Sequence, residues 1–120
     1  MNKIQKIASS IGNSAVDDRG KIFSFIPGDD IKEFVYIETN KGYDRGHHYH
    51  PEFDEYIVLT SGKGMFIETI DGVEREIVVE SGDCVHIPKN IFHTFVPISN
   101  CTSISCLTKA WNDCENPILR

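Results

Sequence analysis

Punctuation constrains this chain most. Glycine, proline, asparagine and aspartate recur at short, even intervals, and the apolar runs between them are roughly four to eight residues long, which suits strands and not helices. Lys21–Ile26 (KIFSFI) stops at Pro27–Gly28, and Glu33–Glu38 (EFVYIE) at Asn40–Lys41–Gly42. The next strand carries His48–His50 and breaks at Pro51, which has no N–H to give a ladder. Glu55–Leu59 (EYIVL) resumes and turns at Ser61–Gly62–Lys63–Gly64. Met65–Ile70 and Val73–Val79 flank Asp71–Gly72, the strongest hairpin signal in the chain. A short strand CVHI follows Gly82–Asp83 and ends at Pro88; Phe92–Ile98 and Ser103–Leu107 complete about nine strands. No amphipathic helix of about ten residues can be built. The pattern predicts an all-β sandwich or barrel. In 120 residues, read as the single domain 1–120, a closed or jelly-roll barrel is the economical way to remove exposed strand edges.

Composition excludes several function classes. With 40% hydrophobic and 25% charged residues the chain is globular and not disordered. The net charge is −6 and no run of lysine or arginine occurs, so nucleic acid and anionic membrane surfaces are not expected partners. The opening MNKIQKIASSIGNSAV lacks the apolar core of a signal peptide, and no stretch reaches membrane-spanning length, so a cytoplasmic protein is expected. Cys84, Cys101, Cys106 and Cys114 show no CxxC spacing and read as reduced, small apolar residues.

The chemistry concentrates in one short stretch. His47, His48 and His50 fall within four positions, and Glu55 lies five residues beyond His50. On a strand His48 and His50 project to one face, and His47 and Tyr49 to the other. Glu55 shares a face with Ile57 and Leu59, the expected barrel interior. His93 enters from a distant strand after Pro88. Two imidazoles from one strand, a carboxylate from the next and a third imidazole from a returning strand make a four-donor metal site. Such donors suit zinc, iron, nickel, manganese or cobalt.

The spacing Gly42-x5-His48-x-His50-x4-Glu55-x6-Gly62 resembles the first cupin motif, residues 42–62. Gly82-x5-Pro88-x4-His93 resembles the second, residues 82–97. Asn90 stands where the family usually has glycine, a mild departure because asparagine tolerates the left-handed conformation. Pro97 stands where it usually has a non-liganding asparagine. The resemblance implies a double-stranded β-helix barrel, usually dimeric, and metal held by His48, His50, Glu55 and His93. A narrower resemblance links DDRGKIFSF and VYIETNKGYDRGHHYH to cupins of surface-polysaccharide and nucleotide-sugar pathways. These include keto-sugar ketoisomerases and epimerases and the cupin domain of capsular-polysaccharide reductases. Shared features are Asp17 or Asp18 with Arg19 and Gly20, then Arg45, Gly46, His48 and His50. Tyr49, Pro51 and Glu55 depart from the ketoisomerase pattern and place the chain nearer the metal-keeping branch.

The resemblance therefore implies a metal-binding sugar or nucleotide-sugar isomerase or epimerase. One divalent ion (zinc, nickel, manganese or iron) would chelate adjacent carbonyl and hydroxyl oxygens and stabilise the enediolate left by proton removal. His48, His50 and Glu55 are the catalytic candidates. The alternatives are an Fe(II) dioxygenase and a non-catalytic sugar-binding cupin. Arg45 is expected either to clamp a substrate anion or to pair at the surface with Asp44 or Glu38. Tyr36 and Phe95 are candidate substrate contacts, although core packing competes at each. His86 reads as a hydrogen-bonded surface histidine and Trp111 as a cover for one barrel end. Homodimerisation through the KIFSFI edge is expected.

Overall fold

The computed structural model describes residues 2–11 and 15–120. In chain order the strands are β1 (Gln5–Ile7), β2 (Val16–Asp17), β3 (Gly20–Lys21), β4 (Glu33–Thr39), β5 (Arg45–His48), β6 (Glu55–Ser61), β7 (Lys63–Ile70), β8 (Val73–Glu80), β9 (Cys84–Ile87), β10 (Phe92–Pro97) and β11 (Cys101–Leu107). A 3-10 turn at Trp111–Asp113 follows the last strand. All strand pairs are antiparallel. One sheet runs β1-β9-β6-β11-β4, a second runs β5-β10-β7-β8, and β2-β3 form a small separate ribbon. The two large sheets face each other across the core as a jelly roll.

Alternation along each strand fills that core. On β6 Ile57 and Leu59 point inward, on β7 Phe66 and on β10 Phe95, and these join Val79, Val85 and Ile87 in one apolar cluster. Phe66 and Phe95 pair across β7 and β10 with ring centroids 4.9 Å apart. The expected hairpin forms at Asp71–Gly72, with φ of 52° and 76°, the two positive values that a type I′ turn requires. Asn90 adopts φ 69°, as its tolerance of the left-handed region allows.

Two local expectations need correction. KIFSFI is a strand only at Lys21; beyond it the chain runs without a ladder, and Ile22 and Ile26 are exposed. Its backbone bonds are isolated ones, such as the Ser10 N–H to the Ser24 carbonyl at 2.7 Å. The first strand, β1, has no period-two signal to announce it, and a distant carboxylate holds it in place. Glu68, buried on β7, accepts the N–H groups of Lys3 (2.8 Å) and Ile4 (2.9 Å) and seats Ile4 in the core. The four cysteines are unbridged, and burial raises the Cys84 thiol to about 11, so it is protonated at neutral pH.

The strand that carries the histidines is irregular in a way that matters. β5 ends at His48, and Tyr49 continues only as an isolated bridge to Leu119. Against β10, His93 pairs with His48 but Thr94 pairs with Gly46, so His47 is an extra residue. Gly46 (φ 118°) and His47 (φ 57°) absorb the bulge, and the His47 N–H donates to Thr94 Oγ1 at 3.1 Å. Glycine is required here by contact as well as by φ, since a Cβ on Gly46 would lie 2.6 Å from the His93 carbonyl oxygen. The bulge shifts the phase of alternation, so Arg45 and His48, three residues apart, both line the interior cavity.

Candidate metal centre

His48 and His50 come from β5 and the segment after it, Glu55 opens β6, and His93 lies near the start of β10. The barrel brings these four together at one end of a cavity of about 230 Å³. The three imidazoles each offer a nitrogen within 4.8 Å of the others. The carboxylate joins from the β6 side, with Glu55 Oε1 2.8 Å from His50 Nε2 and 3.6 Å from His93 Nε2. His50, Glu55 and His93 are buried, and His48 is half-buried.

Backbone carbonyls set the tautomers. His50 Nδ1 lies 2.8 Å from the Pro117 carbonyl oxygen, and His93 Nδ1 lies 2.8 Å from that of Ile91. A carbonyl only accepts, so each Nδ1 carries the proton and each neutral ring turns a bare Nε2 lone pair into the cavity. Glu55 Oε2 accepts from Ser105 Oγ at 2.8 Å, but Oε1 has no donor while the imidazoles are neutral. Two lone pairs and an anionic oxygen therefore converge where nothing neutral compensates them. Such a buried arrangement costs several kcal/mol unless a cation sits there, on the order of the penalty for an unpaired buried charge. A proton on His50 is one such cation and a divalent metal is another. The imidazoles of His50 and His93 and the Glu55 carboxylate, each held by a hydrogen bond from behind, fit zinc or a first-row transition metal.

The acid–base properties follow from the same contacts. Burial, reinforced by His93 and His50, lowers the His48 imidazolium to about 4 against the opposing pull of Glu55. Burial also lowers His93, partly offset by Glu55. For His50 burial acts downward, but the Glu55 carboxylate and the Pro117 carbonyl outweigh it and the net shift is up. Burial pushes Glu55 up, yet His50, His93 and Ser105 outweigh it and hold the carboxyl below its usual range. The site is built to keep Glu55 ionised.

The remaining expected site residues separate. Phe95 lines the cavity wall, its ring tilted against that of Phe66. Arg45 lines the cavity and makes neither expected surface ion pair. Its Nε donates to Thr39 Oγ1 at 2.9 Å and its Nη2 to the Glu38 carbonyl at 2.7 Å, which ties the edge of β5 to the edge of β4. Tyr36 is a correction. It sits on the outer face of β4, 60% exposed, while its alternating neighbours Val35 and Ile37 face the cavity. His86 is hydrogen-bonded, as expected, to Asp54 Oδ2 at 2.7 Å, and it stacks on Tyr56 outside the barrel. Trp111 stands at the cavity mouth with Phe53, both rings near His50.

Sequence reasoning missed four contributors. Ser105 had a weak signal, because its strand alternates Ser103, Ser105 and Leu107 on the inner face. Phe53 sits in the break after Pro51 and stacks on His50 at 4.5 Å. The carbonyls of Ile91 and Pro117 carry no side-chain signature at all. The segment after Trp111 returns to the mouth, where Leu119 pairs with Tyr49 and Ile118 lines the cavity.

Comparison with known proteins agrees with this geometry. The family model described as "Cupin domain" matches residues 35–102. Among solved structures, the QdtA 3,4-ketoisomerase of Thermoanaerobacterium thermosaccharolyticum, in complex with TDP-4-keto-6-deoxyglucose, superposes with a TM-score of 0.80 at 16% identity, over 100% of this chain and 88% of that one. The WlaRB TDP-quinovose 3,4-ketoisomerase of Campylobacter jejuni gives 0.83 at 16%, over 100% and 94%. The RmlC epimerase of Mycobacterium tuberculosis gives 0.74 at 15%, over 92% and 65%. No curated protein sequence matches the chain. At these identities the structures establish the fold and not the activity. The matched segment spans more than half of the chain and contains both histidine strands and Glu55, so the protein belongs to the cupin family.

Proposed function

We propose that this cupin is a divalent-metal-dependent isomerase or epimerase that moves a proton at the carbon beside a carbonyl, on a sugar or nucleotide sugar in surface-carbohydrate synthesis. One observation carries the metal-dependent part: the donorless Glu55 Oε1 beside the bare Nε2 atoms of His50 and His93. The reaction class draws support from the likeness to two sugar ketoisomerases and an epimerase. When bound, a divalent metal supplies Lewis-acid polarisation of a carbonyl oxygen.

The protein's own groups divide the remaining work. His50, Glu55 and His93 hold the ion, with Ser105 fixing the carboxylate from behind. His48 completes the set as the third imidazole, its ring tied by no hydrogen bond among the described residues. Arg45 holds the anionic part of the substrate, and the apolar wall keeps water from the reacting carbon. A second reading, an Fe(II) dioxygenase, uses the same donors and is favoured by how apolar that wall is. The protein acts as a homodimer in this reading, because Phe34 (75% exposed) and Tyr36 lie side by side on the outer face of an edge strand.

Three outcomes are expected. Protein purified without chelator carries divalent metal; His50→Ala and His93→Ala lose it, and Ser105→Ala weakens metal affinity about tenfold or more with every donor intact. Full metal retention in all three variants removes the proposed centre. Second, NMR of keto-sugar nucleotides in heavy water shows deuterium entering beside the carbonyl, and His48→Ala abolishes it. Oxygen uptake with no deuterium incorporation selects the dioxygenase instead. Third, sedimentation at micromolar concentration gives about twice the 13.6 kDa chain mass, and a strict monomer contradicts the dimer.

A further inference from the structure

The two tied imidazoles are held from behind in different ways. His93 draws its carbonyl from Ile91, two residues away, so that contact is local. His50 draws its carbonyl from Pro117, 67 residues away. Past β11 the chain makes the Trp111–Asp113 turn and meets a strand partner again only at Leu119, bridged to Tyr49. Pro117 lies between those points, outside any ladder. The His50 contact therefore lasts only while residues 114–118 stay docked at the barrel mouth.

Pro117 cannot dock itself through its own backbone, because proline has no N–H. The donor beside it is Asn116, and Glu52 Oε2 accepts that N–H. Glu52 Oε1 accepts from Lys109 Nζ at 2.8 Å. The one carboxylate thus grips the segment on both sides of the Trp111 turn. Glu52 itself lies two residues after His50, with Pro51 between them. A closed circuit results. It runs from His50 through Pro51 to Glu52, across to Asn116, on to Pro117, and back to His50 Nδ1 at 2.8 Å. Each covalent arm contains a proline, which fixes one dihedral and restricts the residue before it. So stiff a circuit passes the position of the Glu52 carboxylate on to the imidazole. Phe53, the next residue, stacks on the His50 ring at 4.5 Å and limits its tilt.

We infer that Glu52 is a positioning residue for the metal centre: by latching the returning segment at Asn116 it holds the Pro117 carbonyl on His50 Nδ1, and so keeps the His50 Nε2 lone pair turned into the cluster. Glu52 acts from outside the cavity lining and supplies no donor of its own. Its effect on ion binding rests on the metal reading above; its hold on the His50 ring does not. His93 has no part in the circuit, which makes it the internal control for any general loosening of the barrel.

Nitrogen-15 histidine NMR of the metal-free and zinc-loaded protein tests this, by reading how fast the ring N–H protons of His50 and His93 exchange with solvent. In Glu52→Ala the His50 Nδ1 proton is expected to exchange about fivefold or more faster, the effect of one ordinary hydrogen bond, with His93 unchanged. Glu52→Gln keeps an oxygen for the Asn116 N–H and is expected to retain most of the protection. Zinc affinity, measured by chelator competition, is expected to fall about tenfold or more in Glu52→Ala, as for the loss of other groups that orient a ligand, and to fall less in Glu52→Gln. Unchanged His50 exchange in Glu52→Ala, a parallel rise at His50 and His93, or a wild-type His50 with no Nδ1 proton overturns the inference. Failure of the metal reading looks different: the wild type takes up no zinc, while the exchange effect confined to His50 persists.

Discussion

Two backbone carbonyls organise this site. By accepting the Nδ1 protons of His50 and His93, the carbonyls of Pro117 and Ile91 fix which nitrogen of each ring faces the cavity. Everything at the centre follows from that choice. Were the rings free to exchange tautomers, His50 could donate to Glu55 Oε1 and satisfy that oxygen without any cation. Held as they are, they present lone pairs to a buried carboxylate oxygen, and only a cation relieves the arrangement. The cost of that frustration is met by the surrounding fold. The segment after Trp111 must return to the barrel mouth to bring Pro117, and the turn at Asn90 must adopt a left-handed conformation to place Ile91. The same turn is tied back to the histidine segment, since the Asn90 N–H donates to the His50 carbonyl at 2.9 Å.

The bulge at Gly46–His47 is the second local departure from regular structure that serves the cavity. A regular strand would send Arg45 outward, opposite in phase to His48. One extra residue reverses that, and the missing Cβ of Gly46 lets β5 approach β10 closely enough for His48 to stand opposite His93. Arg45 then bridges to Thr39 and Glu38 and closes the seam between the two sheet edges. One arginine thus serves the fold and faces the cavity at once. Its loss would affect both.

Much of this was legible in the sequence, for identifiable reasons. Short apolar runs between turn residues specify strands locally, so β4, β6, β7, β8, β9, β10 and β11 fall where the punctuation puts them. Alternation correctly sent His48, Glu55 and Ile57 to one interior. What the sequence could not show depends on tertiary partners. KIFSFI has the composition of a strand but finds no ladder, and β1 lacks the composition yet is captured by Glu68. Tyr36 was a reasonable aromatic contact until the parity of β4 put it outside. The carbonyls that orient the imidazoles have no side-chain identity to read, and a bulge cannot be inferred from alternation because it breaks alternation.

X-ray absorption at the zinc edge of zinc-loaded protein reads the ligand shell itself. Zinc-loaded wild type should show multiple-scattering features of three imidazoles with one carboxylate oxygen, reduced by one imidazole in His48→Ala. A shell of light oxygen donors without imidazole scattering, or one unchanged in His48→Ala, would contradict this centre.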